Sequence, residues 1–441
     1  MNTNAKRSLS NYRTVPTLVR IGVPEAVTVY PIGKSKAFDP EKEYKVSFIP
    51  AERFAHTNAG CPHSPDSVTV RPNRDGSISF TYTYECEQEW TVLITEADGD
   101  GKKPLDFHVY SLEDDLYSRN PYRGDLHSHS NSSDGRDDPL IVAANYRKEG
   151  FDFFSLTDHH KWEPSRDMIE DYSGVKLGIK LFPGEEIHVP TGWIHIVNFG
   201  GEYSINTLYE KNKEKIDAQM REEAEKLDTP PYVNPLEYAY RRWICEQVRR
   251  AGGLSITAHP YWYWKTYYSY NMCDKMLEYV FESGIYDAFE LVGGQSVHEN
   301  NVQISFYQEM RANGLKIPIV GSSDSHGTDP ASYFGIGKTV VFAKDKEKDS
   351  ICEAIKNLYS VAIETAPGEE ERVYGSYRLV KYTRFLLDYY FPSHDELCVE
   401  EGRLMREYVL GSESAGDALN LLANRTEENM NYLLRKKSPL N

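Results

Sequence analysis

The feature that most constrains the fold is a regular alternation of capped helices and short apolar strands after about residue 120. Asp138 can cap a helix that has Pro139 at its first position and Gly150 after its end. The compact apolar run Phe151–Thr157 follows directly and is typical of a buried strand. Helices that alternate with buried strands predict a parallel α/β sheet or barrel.

The same order recurs further along the chain. Asn234 and Pro235 start a second helix, which stops at the glycine pair beginning with Gly252, and the strand Leu254–Ala258 follows. Two further short strands follow helical stretches, at Tyr286–Val292 and Ile317–Gly321. A charged helical stretch with no obvious apolar face lies within an insertion at about 204–232, where it is expected to be a solvated surface helix or a mobile lid.

Before residue 120 the pattern is different, because short β-branched or aromatic segments are separated by turn residues. This spacing predicts a small antiparallel sandwich with strands at Ala26–Tyr30, Tyr44–Phe48, Ser67–Val70, Ser77–Tyr84 and Trp90–Ile94. We therefore expect three regions: an N-terminal β-rich domain at 1–118, an α/β domain at 119–365, and a C-terminal helical region at 366–441. The last region is expected to pack against the barrel or against a second subunit, so a homo-oligomer is one expected assembly.

Composition excludes several classes of protein. The 441 residues carry a formal net charge of −17, which argues against binding of long nucleic acids, because phosphate contacts need clustered Lys and Arg. No apolar stretch has the pattern of a signal peptide or the length of a membrane span. The six cysteines are scattered without metal-binding spacing, so they are expected to be free thiols in a cytoplasmic protein.

Imidazoles and carboxylates recur at the ends of the predicted strands. His127 and His129 form an H-x-H pair whose rings can project to one side, because alternate residues of a strand share a face. The other candidates at or near strand ends are Asp134, Asp158, His159, Glu185, Glu186, His195, His259, Asp324 and His326. In a parallel barrel these ends converge on one mouth.

Each of these residues taken alone is more often a hydrogen-bonded structural residue than a ligand. Six histidines and several acids at correlated strand ends are better explained by a shared metal centre. Histidine and carboxylate ligands suit zinc, manganese or iron. The remaining histidines, His160 and His188 among them, lack this pattern and stay unassigned.

The segments GDLHSHSNSSDG, SLTDHH, PGEEI, WIHIV, ITAHP and GSSDSHG resemble, in order and spacing, the motifs of the polymerase-and-histidinol-phosphatase (PHP) family of metal-dependent phosphoesterases. The resemblance covers about residues 121–365. It implies a distorted (β/α)7 barrel with two or three divalent metal ions. By position, the implied metal ligands are His127, His129, Asp134, His159, Glu186, His195, His259, Asp324 and His326.

The resemblance leaves the branch of the family open. A carboxylate at Asp134 is similar to the branch of nucleotide phosphatases and short-oligonucleotide exonucleases. A β-rich domain ahead of the barrel resembles instead the carbaryl-hydrolase-like members, which cleave a carbamate ester. The alignment favours Glu186 over Glu185 as the ligand of the PGEEI segment.

The expected activity is hydrolysis of a small phosphoester, such as a nucleotide or short oligonucleotide, by water that the cations activate. The predicted catalytic residues are Glu186 as a bridging ligand, Asp324 as a group that orients the nucleophile, and Asp158. A carbamate or carboxylic ester hydrolase is the alternative. A non-catalytic binding module is a third hypothesis, and the complete set of implied metal ligands argues against it.

The substrate pocket is less well defined by the sequence. An aromatic segment follows His259 directly, and it could stack a nucleobase or an aromatic leaving group, or simply pack against a neighbouring domain. The predicted substrate-binding residues are Lys161, Arg166, Tyr261, Trp262 and Lys265. The cations among them could bind a phosphate or merely face water.

Overall fold

The structure, a computed structural model, describes residues 11–52, 66–99, 104–366 and 368–434. The chain forms two compact units. The first contains the described residues up to Arg119, the segment Val380–Leu397 and the described residues from Asn424. The second contains Asn120–Leu379 and Cys398–Ala423, so the predicted C-terminal helical region is divided between the two units.

The first unit is built mainly from short strands, as its sequence pattern predicts. Its elements before residue 120 are β1 (Tyr12–Val15), β2 (Leu18–Arg20), β3 (Pro24–Pro31), a 3-10 turn (Lys34–Lys36), β4 (Tyr44–Pro50), β5 (Asp66–Val70), β6 (Ile78–Thr83), β7 (Glu89–Glu96), β8 (Leu105–Leu112) and α1 (Asp114–Tyr117). They form one sheet of order β1-β3-β6 and another of order β2-β8-β7-β4-β5. Buried residues of both sheets, such as Val29 and Phe48, share one apolar core, as in a sandwich.

The second unit is a mixed α/β structure. Its strands are β9 (Asn120–Asp125), β10 (Phe153–Ser155), β11 (Lys180–Phe182), β12 (Gly184–Ile187), β13 (Ile196–Phe199), β14 (Leu254–Thr257), β15 (Tyr263–Trp264), β16 (Ser269–Tyr270), β17 (Ala288–Val292), β18 (Ile319–Gly321), β19 (Gly337–Ala343), β20 (Ser360–Glu364) and β21 (Arg372–Tyr374). They form three sheets, of orders β11-β10-β9-β19-β20-β21, β12-β13-β14-β17-β18 and β15-β16.

Helices connect many of these strands. In chain order they are α2 (Pro139–Lys148), α3 (Glu163–Asp171), α4 (Ile205–Lys211), α5 (Lys213–Lys226), α6 (Pro235–Arg250), α7 (Asp274–Glu282), α8 (Val297–Ala312), a 3-10 turn (Pro330–Ser332), α9 (Lys348–Lys356), α10 (Tyr377–Tyr389), α11 (Phe391–Val409), α12 (Glu413–Leu422) and α13 (Arg425–Leu434). No described helix combines the length and the apolarity that a membrane span requires.

The mixed α/β class is confirmed, but the uniformly parallel arrangement is wrong. Strand β13 runs antiparallel to both β12 and β14, and β19 runs antiparallel to β9 and β20. The connection from β12 to β13 is too short for the crossover that parallel neighbours need, so the chain simply turns back. Within the described residues the two large sheets stay open and no closed (β/α)7 barrel is found.

Helix caps were predictable from the sequence. The Asp138 carboxylate accepts a hydrogen bond from Leu140 N (2.9 Å) at the start of α2, and the Asn234 side chain accepts one from Leu236 N (3.0 Å) at the start of α6. Gly150, two residues after α2, has a φ of +92°, which suits a residue without a side chain. These local signals fix where each helix ends and the next strand begins.

The insertion consists of α4 and α5. Most of α5 is exposed, and only Ile216 and Met220 of this helix are buried. Asp217 accepts hydrogen bonds from the hydroxyls of Tyr209 (2.8 Å) and Tyr240 (2.6 Å), which ties α5 to α4 and α6. These contacts favour a fixed surface helix over a lid.

A buried ion pair joins α2 to α11 within the second unit. Arg147 is fully buried, and its Nη2 lies 2.7 Å from Glu401 Oε2. The guanidinium also donates to the carbonyl of Phe151 (2.9 Å), and Gly178 N donates to Glu401. The pair therefore holds the segment that precedes β11 against the helices.

We expect Glu401→Gln to lower the free energy of unfolding by about 3 kcal/mol, because it removes the nearer of two carboxylates beside the buried guanidinium and leaves Asp152, 3.7 Å away, as the remaining counter-charge. Urea denaturation followed by circular dichroism measures this. The control is Glu246→Gln, which changes an exposed glutamate of α6. Equal unfolding midpoints for the two variants would contradict the assigned role of the pair.

Candidate metal centre

Six strands of the second unit, β9, β10, β12, β13, β14 and β18, bring the predicted ligands to one place. His127 and His129 lie just beyond β9, on the same side of the extended chain, and their Nε2 atoms are 3.2 Å apart. Both side chains are buried. Two imidazole nitrogens this close cannot both carry a proton toward each other, so the pair presents at least one free lone pair.

The Glu186 carboxylate lies at the centre of this cluster and is completely buried. Its Oε2 lies 2.8 Å from His159 Nδ1, 3.4 Å from His127 Nε2 and 3.5 Å from His129 Nε2. Its Oε1 lies 2.8 Å from His195 Nδ1, 3.1 Å from His188 Nε2 and 3.3 Å from His259 Nε2. Six imidazoles therefore surround one carboxylate.

Because side chains alternate along β12, Glu185 points to the face opposite Glu186. Its carboxylate accepts hydrogen bonds from Ser204 Oγ (2.8 Å), Asn206 Nδ2 (2.9 Å) and Ile205 N at the start of α4. Burial raises the pKa of Glu185, which these donors partly oppose. Of the two neighbouring acids, the structure thus places Glu186 among the imidazoles.

Three groups of side chains have ligand atoms within 4.8 Å of one another and could each hold a metal ion. They are His129–Asp134–His159–His326, His127–Glu186–His259–Asp324, and His159–Glu186–His188. Eight of the nine predicted ligands occur in these groups. The ninth, His195, lies outside them but contacts Glu186 directly.

The first group is the more exposed end of the centre. The Asp134 side chain is 58% exposed, and its Oδ1 lies 3.4 Å from His159 Nε2 and 3.3 Å from His326 Nε2. Hydrogen bonds from these two histidines hold the pKa of Asp134 far below its ordinary value. An ionised carboxylate is therefore available at the open side of the centre.

The donor set fits divalent cations. Glu186 Oε2 is buried and accepts no hydrogen bond from any residue in the described part of the chain, although three ring nitrogens approach it. Burial lowers the pKa of His129 to about 4 and that of His195 to about 3, so both are neutral near pH 7. Imidazoles that converge on a buried carboxylate are, in their unprotonated form, ligands that zinc, manganese and iron prefer.

Other contacts orient the ring nitrogens. His326 Nδ1 contacts the carbonyl of Asp324 (2.9 Å), and His195 Nε2 contacts the carbonyl of Gly192 (2.9 Å). Because a carbonyl accepts, each ring has an N–H on that side, and its other nitrogen faces Asp134 in the case of His326 and Glu186 in the case of His195. This arrangement is typical of histidines that bind metals.

Two ligand residues have left-handed backbones, with φ of +46° at Asp324 and +24° at His259. Such conformations are uncommon for residues other than glycine and cluster at functional sites. They direct the Asp324 carboxylate to His129, with Oδ1 2.9 Å from Nε2. Burial opposes ionisation of Asp324, but the surrounding histidines hold its pKa well below its ordinary value.

Sequence reasoning missed Glu290, which lies behind His127. Its Oε2 lies 2.8 Å from His127 Nδ1, and its Oε1 accepts a hydrogen bond from His259 N (3.3 Å). Glu290 is fully buried in β17, where it is the one charged residue of the segment AFELV. A lone acid in a buried apolar strand is a sequence signal that could have identified it.

His188 is the second residue that was missed. It lies two residues after Glu186 in an extended segment, so both side chains point the same way. Its Nε2 lies 3.1 Å from Glu186 Oε1 and 3.1 Å from His159 Nδ1. His160, which also stayed unassigned in the sequence analysis, packs its ring against His188 at 4.9 Å and belongs to none of the three groups.

Asp158 occupies a supporting position. Its buried carboxylate accepts hydrogen bonds from Ser130 N (2.8 Å), Ser130 Oγ (2.6 Å) and Ser133 Oγ (2.5 Å). These contacts hold the loop between His129 and Asp134. They indicate that Asp158 positions ligands, and its catalytic role stays a prediction.

The predicted substrate residues are spread over several surroundings. Lys161 donates to the carbonyl of Ser132, on the loop that carries Asp134. Arg166 is paired with Asp167 (2.6 Å) and lies over the ring of Trp162. No described residue of the metal centre contacts Arg166, so its binding role stays a prediction.

The residues of the aromatic segment after His259 have two different surroundings, the hydrophobic core and the metal centre. Tyr261 is buried and packs its ring against Tyr270 and Phe306, at 5.5 and 5.8 Å. Trp262 instead lies beside the centre, with its ring 5.9 Å from His195 and 5.7 Å from that of His259. The structure thus brings Trp262, and not Tyr261, to the histidines.

No family model matches this sequence, and no curated protein matches it. Among solved structures, the chain is similar to a two-domain protein of Bacteroides vulgatus that is described as containing a predicted PHP-like metal-dependent phosphoesterase. The identity is 18% and the TM-score 0.39, over 56% of this chain and 65% of that chain. The match therefore spans less than two thirds of that protein.

Two other similar structures have descriptions of related classes. A protein of Bifidobacterium adolescentis is described as a proposed metal-dependent phosphoesterase (16% identity, TM-score 0.34, 46% of this chain and 88% of that chain). An amidohydrolase of Chromobacterium violaceum has bound sulfate and no metal (18% identity, TM-score 0.31, 46% and 87%). At these identities and TM-scores the three likenesses assign neither a family nor a branch to this chain.

We expect Glu290→Gln to weaken the binding of zinc or manganese by about 10- to 100-fold, because the neutral amide holds the His127 ring less firmly and makes its Nε2 less basic. Competition with a chromophoric chelator measures the affinity. Glu246→Gln serves as the control. Unchanged affinity in Glu290→Gln would show that His127 needs no carboxylate behind it.

Metal binding should release protons at pH 7. Burial opposes protonation of His159, but Glu186 and Asp134 raise its pKa to about 10, so the metal-free ring carries a proton that a ligand must lose. Calorimetry in buffers of different ionisation enthalpy measures the release. We expect His159→Asn to lower it by about one proton per chain, and the exposed His298→Asn to leave it unchanged. Heats that do not depend on the buffer would contradict this.

Proposed function

We propose that this chain is a metal-dependent hydrolase of small phosphoesters, such as nucleotides or short oligonucleotides. The observation that carries the proposal is the buried carboxylate of Glu186 within 3.5 Å of six imidazoles. A purely structural role accounts poorly for this arrangement, since ring nitrogens converge on both oxygens of one fully buried carboxylate, and among the described residues its Oε2 has no hydrogen bond of regular geometry.

The residues present would hold two or three divalent ions, of zinc, manganese or iron. His127, Glu186, His259 and Asp324 would hold one at the buried end, and His129, Asp134, His159 and His326 would hold another at the exposed end. His188 offers a third position together with His159 and Glu186. When bound, these ions supply Lewis acidity at the scissile group and lower the pKa of water.

The chain itself keeps these groups in place. Glu290 orients His127 from behind, and Asp158 holds the loop that carries Asp134. The Asp324 side chain is 15% exposed, so its carboxylate can still accept a hydrogen bond from an attacking water and orient it. Preorganised groups of this kind stabilise the charge that develops during reaction.

The proposed reaction is the addition of water to a phosphoester. A bond forms between the water oxygen and phosphorus, and the bond between phosphorus and the alcohol oxygen breaks. The alcohol oxygen takes the proton that the water loses, so the products are an alcohol and a phosphate. The choice of phosphorus over a carbonyl carbon comes from the motif resemblance, and the same ligands would serve carbamate or carboxylic ester hydrolysis.

We expect the purified protein to hydrolyse 4-nitrophenyl phosphate with manganese or zinc, and a chelator to abolish the activity. Glu186→Gln should lower kcat/KM at least about 100-fold, since it removes a ligand and not merely its support. Glu246→Gln should keep full activity. Release of 4-nitrophenol, measured by absorbance, is the assay.

A panel of substrates separates the alternatives. Naphthyl acetate and a naphthyl carbamate, tested beside nucleotides and dinucleotides, report on hydrolysis at carbon. Turnover of these esters without turnover of any phosphorylated compound would replace the phosphoesterase proposal with the ester or carbamate hydrolase. A metal-loaded protein that hydrolyses none of these compounds would contradict both the phosphoesterase and the ester or carbamate hydrolase proposals.

A further inference from the structure

A continuous row of aromatic rings begins at the buried histidines and runs outward. The Trp262 ring lies 5.7 Å from His259 and 4.3 Å from Trp264. From Trp264 the row continues to Trp193 at 5.4 Å, and from Trp193 to the exposed Tyr267 at 4.7 Å. The hairpin of β15 and β16 carries much of this row, which has no role in metal ligation.

A cavity of about 460 Å³ lies against this hairpin. Its wall includes Trp262, Tyr263, Lys265, Tyr270, Glu299 and Tyr333. Trp262 therefore belongs both to the cavity wall and to the immediate surroundings of His195 and His259. A volume in this range suits a small organic ligand, and we call this space the aromatic cavity.

The wall of the aromatic cavity is held in place by backbone contacts. Glu299 Oε1 accepts a hydrogen bond from Tyr263 N (2.8 Å), while its Oε2 accepts one from Ser296 N (2.9 Å) in the capping box of α8. Trp262 N donates to the carbonyl of His259 (3.0 Å). The backbone that carries Trp262 and Tyr263 is thus held before any ligand arrives, which lowers the entropy that binding costs.

Charge limits what the cavity can bind. Both oxygens of Glu299 are engaged, and Lys265 is the one lysine or arginine in the wall. Within the described part of the chain no acid pairs with Lys265. A polyphosphate would therefore meet few counter-charges here, whereas an uncharged planar ring could stack on Trp262 and the tyrosines.

We propose that the aromatic cavity binds the planar aromatic leaving group of the substrate, with Trp262 as the residue that determines specificity. This inference depends on the proposed function for its account of catalysis, because the scissile group would lie at the metal centre and the ring in the cavity. An aryl group and a nucleobase share the required chemistry. Phosphoesters of aromatic alcohols or of nucleosides are then preferred over those of simple alkyl alcohols.

Binding of the aromatic product tests the cavity without any hydrolysis. 1-Naphthol and adenosine are titrated separately into the metal-loaded protein, with calorimetry and tryptophan fluorescence as readouts and glycerol as the non-aromatic comparison. We expect at least one of the two aromatic compounds to bind and to quench fluorescence, and glycerol to do neither. Naphthol alone would point to aryl esters, and adenosine alone to nucleotides. No binding of either overturns the proposal.

Variants localise the binding. Trp262→Ala should weaken it about 10-fold or more, in line with the loss of one stacking ring, and Trp262→Leu, which keeps apolar packing, should show the same direction. Tyr268→Ala is the matched control, since this hairpin residue is 82% exposed and outside the cavity wall. Unchanged metal content verifies folding of each variant. Equal affinities in wild type and both Trp262 variants would contradict the assignment.

Kinetics separate this inference from the proposed function. With 1-naphthyl phosphate, Trp262→Leu should lower kcat/KM about 10-fold more than it does with glycerol phosphate, as the stacking energy predicts. If neither ester is hydrolysed but naphthol still binds through Trp262, the phosphoesterase proposal fails while the cavity stands. Equal losses for both esters would show that Trp262 supports the centre generally, and would overturn its role in specificity.

Discussion

The centre of this molecule depends on one buried carboxylate and the histidines that surround it. Removing an ionised glutamate from water costs several kcal/mol unless opposite charge compensates. Burial would raise the pKa of Glu186, but the neighbouring imidazoles hold it well below its ordinary value. The second unit therefore has to bring several strand ends to the same point, and the sheets, caps and loops described above accomplish this. Divalent cations suit the site for the same reason, because they supply positive charge beside the buried carboxylate whether or not the imidazoles are protonated.

Much of this centre was predictable because short-range patterns determine it. Helix caps such as Asp138 and Asn234 fixed the strand boundaries, and the histidines and acids near strand ends followed. Glu290 was missed because the prediction considered strand ends, whereas this acid lies inside β17 and acts through His127. The direction of β13 was also missed, since an apolar run gives no orientation and only the short link from β12 determines it.

Two pairs of adjacent residues show where sequence patterns stop being informative. Tyr261 and Trp262 are adjacent aromatic residues with nearly the same local pattern, yet one packs on Phe306 and the other on the histidines. Only the three-dimensional path of the chain after His259 separates them. The residue pattern alone likewise does not separate Glu185 from Glu186, and the pairing of β12 shows which of the two side chains points to the metal centre.

The left-handed backbones at Asp324 and His259 restrict how this centre could change during evolution. An aspartate or asparagine tolerates such a conformation better than most residues, whereas β-branched or bulky side chains are strained there. Exchanging these ligands for other types would thus alter the backbone as well as the donor atoms. A shift in metal preference is more accessible through outer residues such as Glu290, which lies in β17 and does not have a left-handed backbone. Related proteins should therefore differ in the residues around the metal ligands before they differ in the ligands themselves.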